Sequence, residues 1–122
     1  KVHLKLRQMT RLIFLIYILK KNLPRKFILP KINQNVKSNN YILSFYVNKN
    51  LAKKFINYMK KNGIACKIIY TKLLNENKVL KPIVKTKLTN AFNFKKTLVS
   101  IPSHERLNLK QFMLIIKTIQ KF

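Results

Sequence analysis

The sequence predicts an α+β fold: a small antiparallel or mixed sheet of about three strands, helices packed on one face, and a hydrophobic helix in front. Three observations carry that expectation. Short runs rich in aromatic and β-branched residues alternate with amphipathic stretches of helical period. The single glycine, Gly63, stands directly behind one of those stretches, where helices stop. And a chain of 122 residues that is 48% hydrophobic can bury a core of its own.

Residues 8–22 predict the first helix. Leu12 to Leu19 is continuously apolar, so this helix asks for burial on several sides. One small domain struggles to cover it, which predicts poor packing in the isolated chain. The apolar run is too short for the ~20 residues of a membrane span. No small-x-small cleavage site follows it, as a signal peptide would need. Lys20, Lys21, Arg25 and Lys26 follow, which leaves a membrane-surface helix as a second reading. Pro24 and Pro30 then punctuate the chain, and residues 31–40 read as a polar loop.

Residues 41–47 (YILSFYV) predict a strand. Asn48 or Asn50 caps the next helix, over 51–62. Leu51, Phe55, Tyr58 and Met59 share its apolar face, while Lys53, Lys54, Asn57, Lys60 and Lys61 take the other. Residues 64–70 predict a second strand, with Ile64, Cys66, Ile68 and Tyr70 on one side. Residues 71–88 read as irregular, with Pro82 inside, and Thr89 starts a short helix to about Lys96. Residues 98–101 predict the third strand, ended by Pro102. Asn108 caps a final helix to 121, with Gln111 at the capping-box position and Phe112, Ile115, Ile116 and Ile119 as its buried stripe. No internal repeat or low-complexity linker appears. The chain divides into 1–40, a connecting helix and loop, and 41–122, a small α+β domain.

The supply of catalytic groups is poor. There is no Asp, and Glu76 and Glu105 are the only carboxylates, so Asp-dependent triads are excluded. His3 and His104 are the only histidines, too few for a zinc site without further ligands. Ser100 and Ser103 stand near His104, yet no third group orients such a pair. Cys66 is alone, which rules out an internal disulfide and reads as a half-buried strand residue. One Gly excludes glycine-rich phosphate loops. The sequence therefore assigns no catalytic, cofactor-binding or metal residue.

The charge is extreme: 27 Lys and Arg against two acids, a formal +25. Such a field attracts nucleic acid, anionic lipid and acidic partners. AT-rich codons encode Lys, Asn, Ile, Phe and Tyr, all abundant here, but that bias accounts for the lysines better than for the missing acids. Phe45, Tyr46, Tyr58 and Tyr70 interleave with lysines, as in RNA-binding surfaces. Their spacing is equally that of a core, and the lysines spread along the whole chain. A small basic RNA-binding protein of ribosomal type is thus the alternative reading, and nucleic acid is expected as a partner only under it.

The order of segments carries a resemblance. YILSFYV, a helix ending KKNGI, and a strand ending at Tyr70 resemble the small C-terminal domain of the DegT/DnrJ/StrS sugar aminotransferases. Thr89-Asn90-Ala91 is similar to that family's Pro-Asn-Ala helix start, and Val99 to His104 to its leucine-serine-leucine-proline-x-histidine strand. Leu107 to Phe122 resembles its closing helix, and Arg11 to Leu23 the end of the helix that leads in. The resemblance implies a parent enzyme that uses pyridoxal phosphate to move an amino group from glutamate to a keto-sugar nucleotide. It implies a large N-terminal domain with the Schiff-base lysine, a homodimer and a cytoplasmic location. The chain begins with Lys1 rather than Met, which is expected of a truncated or processed product. Only Tyr70 matches the family's His-Tyr-Pro loop, so it is the one substrate-binding candidate.

Overall fold

The computed structural model describes residues 13–31, 33, 35–36, 42–79, 88–104 and 106–122. The expected helix start at 8–12, the strand residue Tyr41, Pro82, His3 and Glu105 lie outside them. In order, the elements are helix α1 (13–22), strand β1 (Phe27–Ile28), strand β2 (Leu43–Val47) and helix α2 (Lys49–Lys61). Strand β3 (Lys67–Ile68), a 3₁₀ turn (Leu74–Glu76), helix α3 (Thr89–Phe94), strand β4 (Leu98–Ile101) and helix α4 (Leu109–Lys121) follow.

The sheet has four strands in the order β1-β2-β4-β3, and every pairing is antiparallel. The expected count of about three is therefore one short. The added strand, β1, pairs Phe27 with Val47 and Ile28 with Tyr46. Two residues are too few to show a period, which is why the sequence hides it. The second expected strand, 64–70, shrinks to Lys67–Ile68, because only these residues bridge to β4, at Ser100 and Val99.

Alternation along β2 works as the pleat demands. Leu43, Phe45 and Val47 are buried, while Ser44 and Tyr46 turn to the other face. Val99 and Ile101 of β4 join the same core, opposite Phe45 and Leu43. Three helices deliver side chains to it: Leu15 and Leu19 from α1, Ala52, Phe55 and Met59 from α2, and Phe112, Ile115, Ile116 and Ile119 from α4. Phe55 sits at the centre, with ring centroids 4.9 Å from Phe27, 5.8 Å from Phe45 and 5.1 Å from Phe122. On the opposite face, Phe94 at the end of α3 lies 4.7 Å from the Tyr46 ring.

The helix ends follow from local chemistry. Asn48 Oδ1 accepts the Asn50 N–H at 3.0 Å, so α2 starts two residues before the expected Leu51. Its end is a Schellman turn: Gly63 takes φ +72°, its N–H donates to the Lys60 carbonyl, and the Ile64 N–H reaches back to Met59. At α4, Asn108 Oδ1 accepts the Gln111 N–H at 2.8 Å and Gln111 Oε1 accepts the Asn108 N–H at 2.9 Å, a complete capping box. Helix α3 stops at Phe94 rather than Lys96, because Lys96 enters the left-handed region at φ +66°. The Lys96 N–H then donates to the Tyr70 carbonyl, and the Thr97 hydroxyl to that of Phe94.

Helix α1 divides sharply. Leu15 and Leu19 are fully buried and Ile16 and Ile18 pack beside them. Ile13, Phe14 and Tyr17 point outward, each more than half exposed. The poor packing expected of this helix is thus confined to one side.

Candidate functional site

Tyr70 stands just past β3, at one end of the edge strand. It was expected to share one side of a strand with Ile64, Cys66 and Ile68. Instead its ring is 59% exposed, because the ladder ends at Ile68 and pleated alternation no longer governs it. Its carbonyl is fixed by the Lys96 N–H at 3.2 Å, which ties this loop to the turn between α3 and β4. That turn brings Phe92 and Phe94, both largely exposed, toward the same end of the sheet. Tyr70 is thus joined through the Lys96 N–H to a turn that carries two further exposed rings, Phe92 and Phe94, which sequence reasoning passed over. The signal was available in the alternation Phe92-Asn93-Phe94 of a helix too short to bury both rings.

Polar contacts tie this turn to the 3₁₀ turn. The Lys95 ammonium pairs with the Glu76 carboxylate and lies 5.5 Å from the Phe92 ring centroid. Glu76 also accepts the Leu73 N–H at 2.8 Å, closing the 3₁₀ turn. The Lys95 hydrogen bond, then the Leu73 N–H, hold the Glu76 carboxyl below its ordinary range. One of the two side-chain carboxylates in the chain is thereby engaged in structure, and the other, Glu105, lies outside the described residues.

At the far end of β3 lies an open groove of about 820 Å³, lined by Lys60, Gly63, Cys66, Lys67, Ser100 and His104. His104 is exposed at its rim, and its carbonyl accepts the Leu107 N–H at 3.1 Å. Ser100 is buried, with its hydroxyl 3.5 Å from the Lys67 carbonyl. Among the described residues no group of three His, Cys, Asp or Glu could hold a metal ion. No described helix is long and apolar enough to cross a membrane.

Burial pushes the Cys66 thiol up to about 12. The thiolate is the reactive form, so partial burial lowers the reactivity of this sulfur in the folded protein. Alkylation of Cys66 at mildly alkaline pH is expected to run roughly a thousand times slower in the folded chain than in denaturant, from the thiolate fractions alone. Equal rates followed by mass spectrometry would show that the site opens freely. Because the folded value lies above the unfolded one of 9.0, stability is full below that pH and falls as pH rises through it.

A family model for the DegT/DnrJ/EryC1/StrS aminotransferase family matches residues 8–120. The chain belongs to this family. Solved structures share its fold. It is similar to the sugar aminotransferase CalS13 from Micromonospora echinospora, at 15% identity and a TM-score of 0.77, over 93% of this chain and 30% of that one. It is similar to AtS13 from Actinomadura melliaura at 16% identity and a TM-score of 0.80, over 95% of this chain and 31% of that one. It is also similar to PseC from Helicobacter pylori, an aminotransferase involved in the biosynthesis of pseudoaminic acid, at 20% identity and a TM-score of 0.72, over 96% and 32%. The chain thus spans about 30% of the length of these relatives. Among curated proteins none matches it. Family membership takes the place of the ribosomal-type reading of the chain's identity.

The described residues do not suit pyridoxal phosphate. The chain has no Asp to hold the pyridinium proton, and Glu76 is already bound by Lys95. The lysines of α2 are all exposed, and the one that lines a cavity, Lys60, borders a groove open to solvent that does not desolvate its amine for attack.

Proposed function

We propose that this chain is the small-domain portion of a pyridoxal-phosphate-dependent sugar aminotransferase. In this reading the parent protein, a cytoplasmic homodimer, moves an amino group from glutamate to a keto-sugar nucleotide. The Schiff-base lysine and the cofactor's other ligands lie in a large domain outside these 122 residues. One observation carries the reading: the family match runs nearly end to end, while relatives of the same fold are about three times longer.

The bare side of α1 supports it. Ile13, Phe14 and Tyr17 form an outward apolar strip of the kind that docks on a further domain. Residues 1–40 then form the connection from the large domain, sharing Leu15, Leu19 and Phe27 with the core of 41–122. Tyr70 is the residue proposed to meet the sugar nucleotide. Its phenol is presented at a sheet end, on a loop held by the Lys96 N–H, so substrate contact costs little reorganisation.

The test compares two proteins. The 122-residue chain, mixed with pyridoxal phosphate and glutamate, is expected to give no amino transfer. The protein extended upstream is expected to turn over, and Tyr70→Ala in it to raise KM about tenfold, the loss of one hydrogen bond. Turnover by the 122-residue chain, abolished by changing a single lysine, would place the machinery inside it and defeat the proposal.

A further inference from the structure

Helix α2 gathers five of this protein's lysines on one exposed face. At roughly 100° per residue, α2 carries Lys49, Lys53 and Lys60 within about 40° of one another. Asn50, Lys54, Asn57 and Lys61 complete an arc of about 140°. All seven side chains are exposed, and Ala52, Phe55 and Met59 face the opposite way into the core. The arc contains five lysines, two asparagines and no acid. From α2 the cationic surface runs on into the groove, which Lys60 and Lys67 both line.

A face that merely keeps a protein soluble mixes signs, because opposite charges one turn apart support a helix and like charges oppose it. Here Lys49 and Lys53 stand one turn apart with no intervening carboxylate. In the described part of the chain the acid Glu76 is consumed by Lys95, distant in sequence from α2. The arc has no apolar residue in it, whereas a helix that lies on a bilayer needs an apolar side to insert. A row of lysine ammonium groups along about 18 Å of helix instead matches a chain of phosphates.

We propose that the α2 lysine face binds the phosphate backbone of nucleic acid, without reading its sequence. Lys49, Lys53, Lys54, Lys60 and Lys61 each replace a condensed counterion, and release of those ions drives association. The asparagines donate hydrogen bonds to phosphate or sugar oxygens between them. This activity is separate from amino transfer and uses the side of the domain opposite the buried face of α2.

The experiment measures binding of the 122-residue chain to a labelled duplex of about 20 base pairs while salt rises from roughly 50 to 200 mM. Five phosphate contacts predict a slope of log K against log salt near −4.5, or about 500-fold weaker binding across that range. Lys53→Gln with Lys60→Gln is expected to reduce the slope by about 2. Lys110→Gln with Lys117→Gln, on the exposed side of α4, removes the same charge and is expected to leave the slope unchanged. Circular dichroism confirms that both pairs of variants stay folded. Equal losses from the two pairs would mean a diffuse field and overturn the proposal, as would a slope indifferent to the α2 pair. Vesicles containing phosphatidylserine that displace the duplex through the same α2 lysines at lower phosphate concentration would overturn it in favour of a membrane.

Discussion

Phe55→Ala is expected to cost about 3–5 kcal/mol, in the top range for truncation of a buried side chain. The ring is fully buried and meets Phe27 of β1, Phe45 of β2 and Phe122 beyond α4. Truncation therefore opens a cavity where three elements converge, and the walls cannot close on it without moving the sheet or α4. Aromatic pairs at these distances add about 0.5–1.5 kcal/mol each beyond area, although the three do not sum independently. Small domains hold a margin of about 5–15 kcal/mol, so one substitution takes a large part of it. Urea unfolding followed by circular dichroism measures the shift. Phe92→Ala, at an exposed ring, is expected to change stability by no more than about 0.5 kcal/mol. Comparable midpoints for the two variants would refute this placement of the core.

The second large effect separates the two sides of α1. Leu19→Ala is expected to cost about 2–5 kcal/mol, since Leu19 is wholly buried in the common core. Serine at Ile13, Phe14 and Tyr17 together is expected to leave the unfolding midpoint nearly unchanged, because these side chains are bare already. What changes is association. Exposed apolar strips of this kind attract one another in water. The unsubstituted chain is expected to sediment as larger species when concentrated, and the triple variant to remain monomeric at the same concentration. Loss of folding in the triple variant, or unchanged association, would contradict the division of α1 seen here.

The sequence showed most clearly those elements whose periodicity and stop signals agree. Helix α4 emerged with its cap at Asn108 and all four expected core residues, because stripe and capping box reinforce one another. Strand β4 matched at both ends, since Pro102 stops it and alternation fills it. Strand β1 was invisible: two residues between prolines carry no pattern, and their pairing is set by a partner some twenty residues away. Tyr70 was read as a strand residue because β-propensity persists through IACKIIY, while the ladder itself ends where β4 ceases to pair. The candidate site was legible only through Tyr70. The exposure of Phe92 and Phe94 beside it depends on where α3 stops, and that is marked by the left-handed Lys96 and its tertiary bond to the Tyr70 carbonyl, which leaves no local signature. The lysine arc, by contrast, could be drawn from the sequence; what the fold adds is that no described residue covers it.

The sheet order has a consequence for how the chain is made. Its two central strands, β2 and β4, are neighbours in space but lie about half the chain apart. The aromatic cluster closes only with Phe122, and Gln120 reaches back to Asn22 across the same seam. A ribosome delivers residues from one direction at about 5–20 per second. For several seconds β2 and α2 therefore exist without the partners that bury Phe45 and Phe55. The nascent chain passes that interval with its apolar face open, and the core can close only once α4 has been made.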